Sequence, residues 1–295
     1  MDKIGDLICT LPADQLLDEN LYDITWIVQK GLGKVVDLGA KKRRYIELDK
    51  NSPKDAARQL RNYLGTVYAD VAISFQCPWW VNYELFKAGI PLRAGVKSQW
   101  HSFLFLNQGV RQKRSLAEKH EFEYNIELVE KALKVTRPGN LPVFEIKKPA
   151  ERNILDTYKL ESKKYIVVHP GMMGSALNWA QAEYISYINS QLKAGKKIVI
   201  TGTDSDEPYL TQIKKEFQKH PNVTWLQSKL NMNELVQVLA NAEFVMAPST
   251  GILHLAASVG TPVKGIFSPI TVHHPRRWGP RGPAGVEIWM IKLKV

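Results

Sequence analysis

A chain of 295 residues exceeds most single cores, and 44% hydrophobic with 23% charged residues is a globular balance, so two domains of roughly 140 residues each are expected. No apolar run approaches the roughly 20 residues that span a bilayer, and the start, with Asp2, Gly5 and Asp6, lacks the basic flank and long apolar stretch of a secretory signal, which points to a cytoplasmic chain. The net charge of +11 favours anionic partners. Without a nucleic-acid motif or aromatic residues interleaved among basic ones, small phosphorylated ligands rank ahead of nucleic acid.

In the first half, residues 24–28, 45–48, 71–75 and 91–94 read as strands, and 53–64 and 79–88 as helices. Cys9 and Cys77 have no clustered cysteine or histidine company and read as small buried apolar residues. The basic run Lys41-Lys42-Arg43-Arg44 reads as a solvated turn before a strand, in preference to a membrane-surface patch. A helix over about 120–134 ends near Arg137-Pro138-Gly139-Asn140, and Pro142 and Pro149 follow, so 136–152 is the best linker. It separates residues 1–140 from 153–295.

The second half alternates more regularly, with strands at 165–169, 197–201, 223–226 and 243–247 and helices at about 181–193, 207–219 and 233–241. Such a series implies right-handed crossovers, a parallel sheet covered on both faces, and ligands at the carboxyl ends of its strands. Three strand ends carry small or polar residues that would share one rim: Pro170-Gly171, Gly202-Thr203 and Pro248-Ser249-Thr250-Gly251. After the last, the apolar run from Ile252 reads as a buried helix. Hydroxyl groups at its start, a glycine that admits close approach and the positive helix end suit a phosphate, with an ordinary Ser/Thr cap as the alternative. Two such domains would enclose a cleft, a favoured place for a ligand.

The segments GDLICTLPA (5–13), HPGMMGSALNW (169–179), PSTGILHLAA (248–257) and RRWGPRG (276–282), in this order and spacing, resemble glycosyltransferase family 9, the heptosyltransferase-like enzymes. The resemblance implies an α/β GT-B fold: two Rossmann-like domains with parallel sheets facing a central cleft, the first binding acceptor and the second the nucleotide-sugar donor. It implies inverting, metal-independent transfer of a heptose or related sugar from a nucleoside diphosphate, ADP-heptose in the first instance, to a lipopolysaccharide-core or similar anionic glycan, with no cofactor. Peripheral contact with the cytoplasmic face of the inner membrane would follow from such an acceptor.

Residue by residue, Asp6 matches the acidic member of the family's G-D motif and is the expected base, with Gly5 and Thr10 on the loop entering the first helix; a plain helix cap is the alternative. Ser249, Thr250 and Gly251 would hold the donor diphosphate, Ser249 standing where many members have Asp. His254 matches a family histidine, with a buried core histidine as its rival. Gly171, Gly174, Ser175 and Asn178 resemble the donor-side loop but include no lysine, so phosphate charge would fall to Arg276, Arg277, Arg281 or Lys3. Thr201 closes the strand before Asp204-Ser205-Asp206, whose spacing reads as a cap, or as a ribose contact by Glu207 or Asp206, in preference to a metal site. Acceptor specificity would lie around Trp79-Trp80, Arg93 and 97–114.

Two departures from the family stand out. Only residues 1–4 precede Gly5, so the first, central strand of the N-domain sheet is expected to be missing, through either a late start site or an incomplete domain, and the chain stops soon after a strand-like 286–293. The alternatives are a non-catalytic or truncated sugar-nucleotide-binding relative, or a GT-B-like epimerase or hydrolase.

Overall fold

The computed structural model describes residues 3–137, 139–151, 153–172 and 177–292. The chain divides into Met1–Asp37 with Lys41–Pro142, and Leu38–Ala40 with Val143–Val295. Residues 143–146, expected in the linker, belong to the second unit because Phe144 and Ile146 are buried there, Ile146 N–H donates to Ser258 O and Gly39 bridges Ile146.

In the first unit the elements run α1 (Ile4–Ile8), β1 (Thr25–Gln29), α2 (Gly33–Asp37), β2 (Arg44–Leu48), α3 (Pro53–Leu64), β3 (Val71–Ser74), α4 (Trp79–Lys87), β4 (Leu92–Val96), α5 (Trp100–Phe105), β5 (Gln108–Val110) and α6 (Glu121–Leu133). Sequence chemistry accounts for the helix starts. Pro53 opens α3, where its missing N–H costs nothing, and His120 with Glu123 forms a capping box for α6. All pairing is parallel, yet β1 pairs only with β2, while β3, β4 and β5 form a separate sheet.

Between β1 and β3 lies a cavity of 620 Å³, walled by residues such as Trp26, Val28, Ala72, Ile73, Phe75 and Val81. Its two faces are apolar. One holds Leu48, Ala56, Leu60, Trp80 and Leu85, with Ile27 and Ala72 packed on them; the other holds Cys9, Ala13, Phe122, Ile126 and Val129, with Ile73 and Phe75. Trp26 stacks on Phe75 at 5.8 Å between ring centroids. Lys30 N–H donates to Leu48 O and Asp70 O accepts from Leu92 N–H. By strand alternation the backbone groups of Ile27, Gln29, Val71, Ile73 and Phe75 therefore face the cavity.

The basic run before β2 is solvated only in part: Lys42 and Arg44 are exposed, whereas Arg43 turns inward. The Arg43 side chain is only 2% exposed and meets Asp14, itself 3% exposed, through Nε at 2.6 Å and Nη2 at 3.0 Å. Trp26 Nε1 donates to the same carboxylate, and Lys41 lies 3.6 Å away. A bidentate pair with further donors is how a buried charge becomes tolerable. Cys9 is buried as expected; Cys77 is only half-buried and its thiol lies 3.4 Å from Asn82 Oδ1.

The second unit contains α7 (Asn153–Thr157), β6 (Tyr165–Val168), α8 (Gln181–Lys193), β7 (Lys197–Ile200), α9 (Glu207–Phe217), β8 (Val223–Trp225), α10 (Met232–Asn241), β9 (Val245–Pro248), α11 (Gly251–Ser258), β10 (Val263–Phe267), α12 (Pro275–Trp278) and β11 (Val286–Met290). Its six strands form one parallel sheet in the order β11-β10-β9-β6-β7-β8. The chain leaves β6 in one direction through β7 and β8, then restarts beside β6 at β9 and proceeds the other way. That reversal is the switch point of a doubly wound sheet, with its crevice at the carboxyl ends of β6 and β9. β6 and β9 are buried along their whole lengths, as a parallel sheet with helices on both faces requires. Among the described residues, no helix is long and apolar enough to cross a membrane.

Candidate active site

The loop after β9 sits at this switch point. Thr250 is the N-cap of α11 in extended conformation, but its side chain makes no cap hydrogen bond, and Thr250 Oγ1 is buried without a partner among the described residues. Ser249 N–H is tied to Ile266 O, and the N–H groups of Leu253 and His254 return to Thr250 O. Those of Gly251 and Ile252, at the start of the helix, have no acceptor among the described residues. Free first-turn donors, a hydroxyl without a partner and a helix end of positive potential together make an anion seat. The ordinary Ser/Thr cap is absent.

His254 lies on the first turn of α11, buried, and burial pushes its imidazole down to about 4, so it is neutral at pH 7.

At the end of β6, His169 is buried and its Nδ1 lies 3.0 Å from Thr201 Oγ1. Burial lowers the imidazole's affinity for a proton, and the nearby Asp206 carboxylate only partly opposes this. Gly171 follows. A Cβ here would come within 2.2 Å of Asp206 Cγ, so only glycine lets the strand end lie against that carboxylate. Asp206 is buried; its Oδ2 accepts from Thr203 N at 2.9 Å and Oγ1 at 2.8 Å, while Oδ1 has no partner among the described residues.

Glu207, expected with Asp206 as a candidate ribose contact, is engaged within the protein. It accepts from Gln227 Nε2 at 2.7 Å and sits near Lys214, which together hold its carboxyl below the usual range. Asp206 is the buried one of the two carboxylates, lying against Gly171. The Thr203-x-x-Asp206 spacing of a capping box carried that signal in the sequence. Asp204 bonds Ser228.

Asn178 is engaged within the protein: its Nδ2 donates to Pro170 O, and its Oδ1 accepts from Trp179 N and from the Tyr184 hydroxyl at 2.7 Å. It braces the loop and has little left to offer a ligand. Gly174 and Ser175 lie outside the described residues. On α12, Arg276 is exposed and Arg277 stacks on Trp278 at 4.9 Å. Gly282 touches Ala257 O, at the opposite end of α11 from Thr250.

In the first unit, Gly5 and Asp6 lie inside α1, not on a loop before it, and the N-cap is Lys3. Asp6 therefore occupies the first turn, where a carboxylate complements the helix dipole without being the cap. Thr10 is buried and structural: its hydroxyl donates to Asp6 O at 2.7 Å and meets Asn125 Nδ2 at 2.9 Å.

A sheet that reverses at β6/β9 places its crevice where doubly wound sheets take their ligands, here beside first-turn N–H donors and the Thr250 hydroxyl. Residues 57–294 match the profile of the family described as Glycosyltransferase family 9 (heptosyltransferase). The chain belongs to that family. A Haemophilus influenzae protein assigned as a glycosyltransferase is 27% identical over 297 residues, covering 95% of this chain and 84% of that one. Among solved structures, the glycosyl transferase family 9 protein of Veillonella parvula superposes with a TM-score of 0.82 at 19% identity, covering 99% of this chain and 84% of that one. The E. coli ADP-heptose lipopolysaccharide heptosyltransferase II gives 0.79 at 17% identity, covering 100% and 89%. The family 9 chain is thus a glycosyltransferase with a GT-B-like α/β fold built on parallel sheets.

Proposed function

We propose that this family 9 glycosyltransferase is inverting and metal-independent, and moves a heptose or related sugar from ADP-heptose to a lipopolysaccharide-core or similar anionic glycan, working at the cytoplasmic face of the inner membrane through peripheral contact. The observation that carries the reading is the set of donors at the β9–α11 turn that have no partner among the described residues, the Gly251 and Ile252 N–H groups and the buried Thr250 hydroxyl. As the acceptor oxygen attacks the anomeric carbon from the face opposite the diphosphate, the bond to the β-phosphate oxygen breaks and negative charge grows there. Fixed N–H donors stabilise that charge without reorganising. Asp6 takes the acceptor's proton, Asp206 accepts from the ribose, and Lys3, Arg276 and Arg277 supply phosphate contacts. Neutral His254 lines the donor side.

The test is transfer from ADP-heptose to a heptose-deficient core glycolipid, followed by mass spectrometry. Asp6→Ala is expected to lower kcat about 100- to 10,000-fold with ADP affinity unchanged. Turnover equal to the parent's would remove Asp6 as the base. Release of ADP without any acceptor, at the full rate, would favour a hydrolase or epimerase chemistry instead.

A further inference from the structure

The first unit carries an aromatic surface that the donor chemistry does not use. Trp100, Phe103 and Leu104 of α5 are 61%, 53% and 65% exposed, and Trp79 and Phe86 of α4 are half exposed beside them. They form one connected patch. Trp79 lies 6.1 Å from Trp100 and 6.3 Å from Tyr83 between ring centroids, and Phe105 joins Tyr83, Phe86 and Trp100 at 5.5, 5.7 and 6.3 Å. Large apolar side chains grouped this way on a surface mark an interaction site.

Charge selects the partner. Residues 85–117 contain no aspartate or glutamate; apart from Arg114, which is half-buried and paired with Glu121, their cations are Lys87, Arg93, Lys97, Arg111 and Lys113. Three of these cations lie over rings of the patch: Lys87 over Tyr83 at 5.6 Å, Arg93 over Phe86 at 5.3 Å and Lys97 over Phe103 at 5.6 Å. Glu84, the acidic residue of α4, is buried and paired with Arg61. The surface is thus apolar at its centre, rich in tryptophan and phenylalanine, and cationic around it. A glycan laid on Phe103 and Leu104 would give up hydrogen bonds from its hydroxyls to water and gain none in return. A bilayer interface accepts indole and phenyl rings at headgroup depth, while the lysine and arginine heads meet lipid phosphates.

We infer that α4 and α5 form the docking face of this protein on an anionic phospholipid bilayer. The inference gives the peripheral contact of the reading above a definite place and rests on that reading only for its biological setting. Binding is read with no donor or acceptor present, so failure here leaves the transfer chemistry standing, and failure of transfer leaves this face standing.

The experiment is flotation of the full chain with vesicles of phosphatidylcholine alone or mixed with phosphatidylglycerol. Binding is expected only with phosphatidylglycerol, weakening as salt screens the charges. Trp100→Ser/Phe103→Ser/Leu104→Ser should lower vesicle affinity at least tenfold, and Lys87→Gln/Lys97→Gln roughly fivefold per charge removed. All five positions are surface or half-buried, and unchanged melting temperatures would establish that the variants fold. In the unsubstituted protein, brominated acyl chains should quench the tryptophan fluorescence, and Trp79→Phe/Trp100→Phe should remove most of that quenching. Equal binding to neutral vesicles, full binding by the triple variant, absence of quenching, or self-association through the patch without vesicle binding would each overturn the proposal.

Discussion

The two units differ most where they ought to be alike. In the second, β6 stands at the centre of six parallel strands, hydrogen-bonded to β7 on one side and β9 on the other. In the first, β2-β1 and β3-β4-β5 have the same relation to each other, but between β1 and β3 there is a cavity where β6 has its counterpart in the second unit. The contrast separates two sources of order. The second unit is held by its continuous ladder and by apolar side chains buried on both faces of it. The first is held by two apolar clusters on either face of the gap and by a buried polar network at Asp14.

Amide exchange reads the contrast directly and should give its largest effect. Val167 and His169 N–H donate to Phe244 and Met246 carbonyls inside the ladder and open only with most of the unit. The N–H groups of Ile27, Gln29, Val71, Ile73 and Phe75 that face the cavity have no strand partner among the described residues. Their amides are expected to exchange about a thousandfold faster or more, given that local openings range from near zero to the global free energy. Equal protection at the two sets would mean that the gap closes in solution.

Asp14→Ala attacks the first unit alone. It leaves the Arg43 guanidinium buried without its carboxylate and removes the acceptor of Trp26 Nε1, a loss of about 3–5 kcal/mol. Urea denaturation should show the first unit melting early while the second keeps its midpoint. Asp14→Asn keeps the Trp26 acceptor and should cost less.

Acid should reverse the order of failure. Burial holds His254 near 4, below the ordinary histidine value, and lowers His169 in the same sense. The unfolded chain binds protons that the folded one refuses, so stability is full above about pH 6.5 and falls as pH drops toward 4. For His254 the loss approaches about 3 kcal/mol. Thermal melts of the second unit between pH 7 and 4 check this, and His254→Gln should flatten part of the slope.

The sequence made the second unit far more legible than the first, for the same physical reason. Where strands are buried on both faces, as in Tyr165-Ile166-Val167-Val168, apolar runs are unbroken and helices between them are long, so 181–193 was readable to the residue. In the first unit β5 is only Gln108-Gly109-Val110, too short and too polar to stand out. The Asp14–Arg43 pair was hidden because it joins residues far apart in the chain. At the site, the small-residue strand ends were readable as local chemistry. Which of Asp206 and Glu207 turns inward was not, because that depends on Gly171 making room from another strand.

Thr250→Val is the smallest change and the sharpest separation of stability from function. The hydroxyl is buried without a partner among the described residues, so replacing it with a methyl of similar shape removes a desolvated polar atom and should leave stability equal or raised by up to about 1 kcal/mol. A hydrogen bond to a charged phosphate contributes about 1.5–3 kcal/mol, so ADP affinity, measured by calorimetry, should fall at least about tenfold in the same variant. A protein that becomes no less stable but binds the nucleotide more weakly is one whose second unit keeps that oxygen for a ligand. If affinity is unchanged, the hydroxyl is a residue of packing alone, and the anion seat reduces to the Gly251 and Ile252 N–H groups.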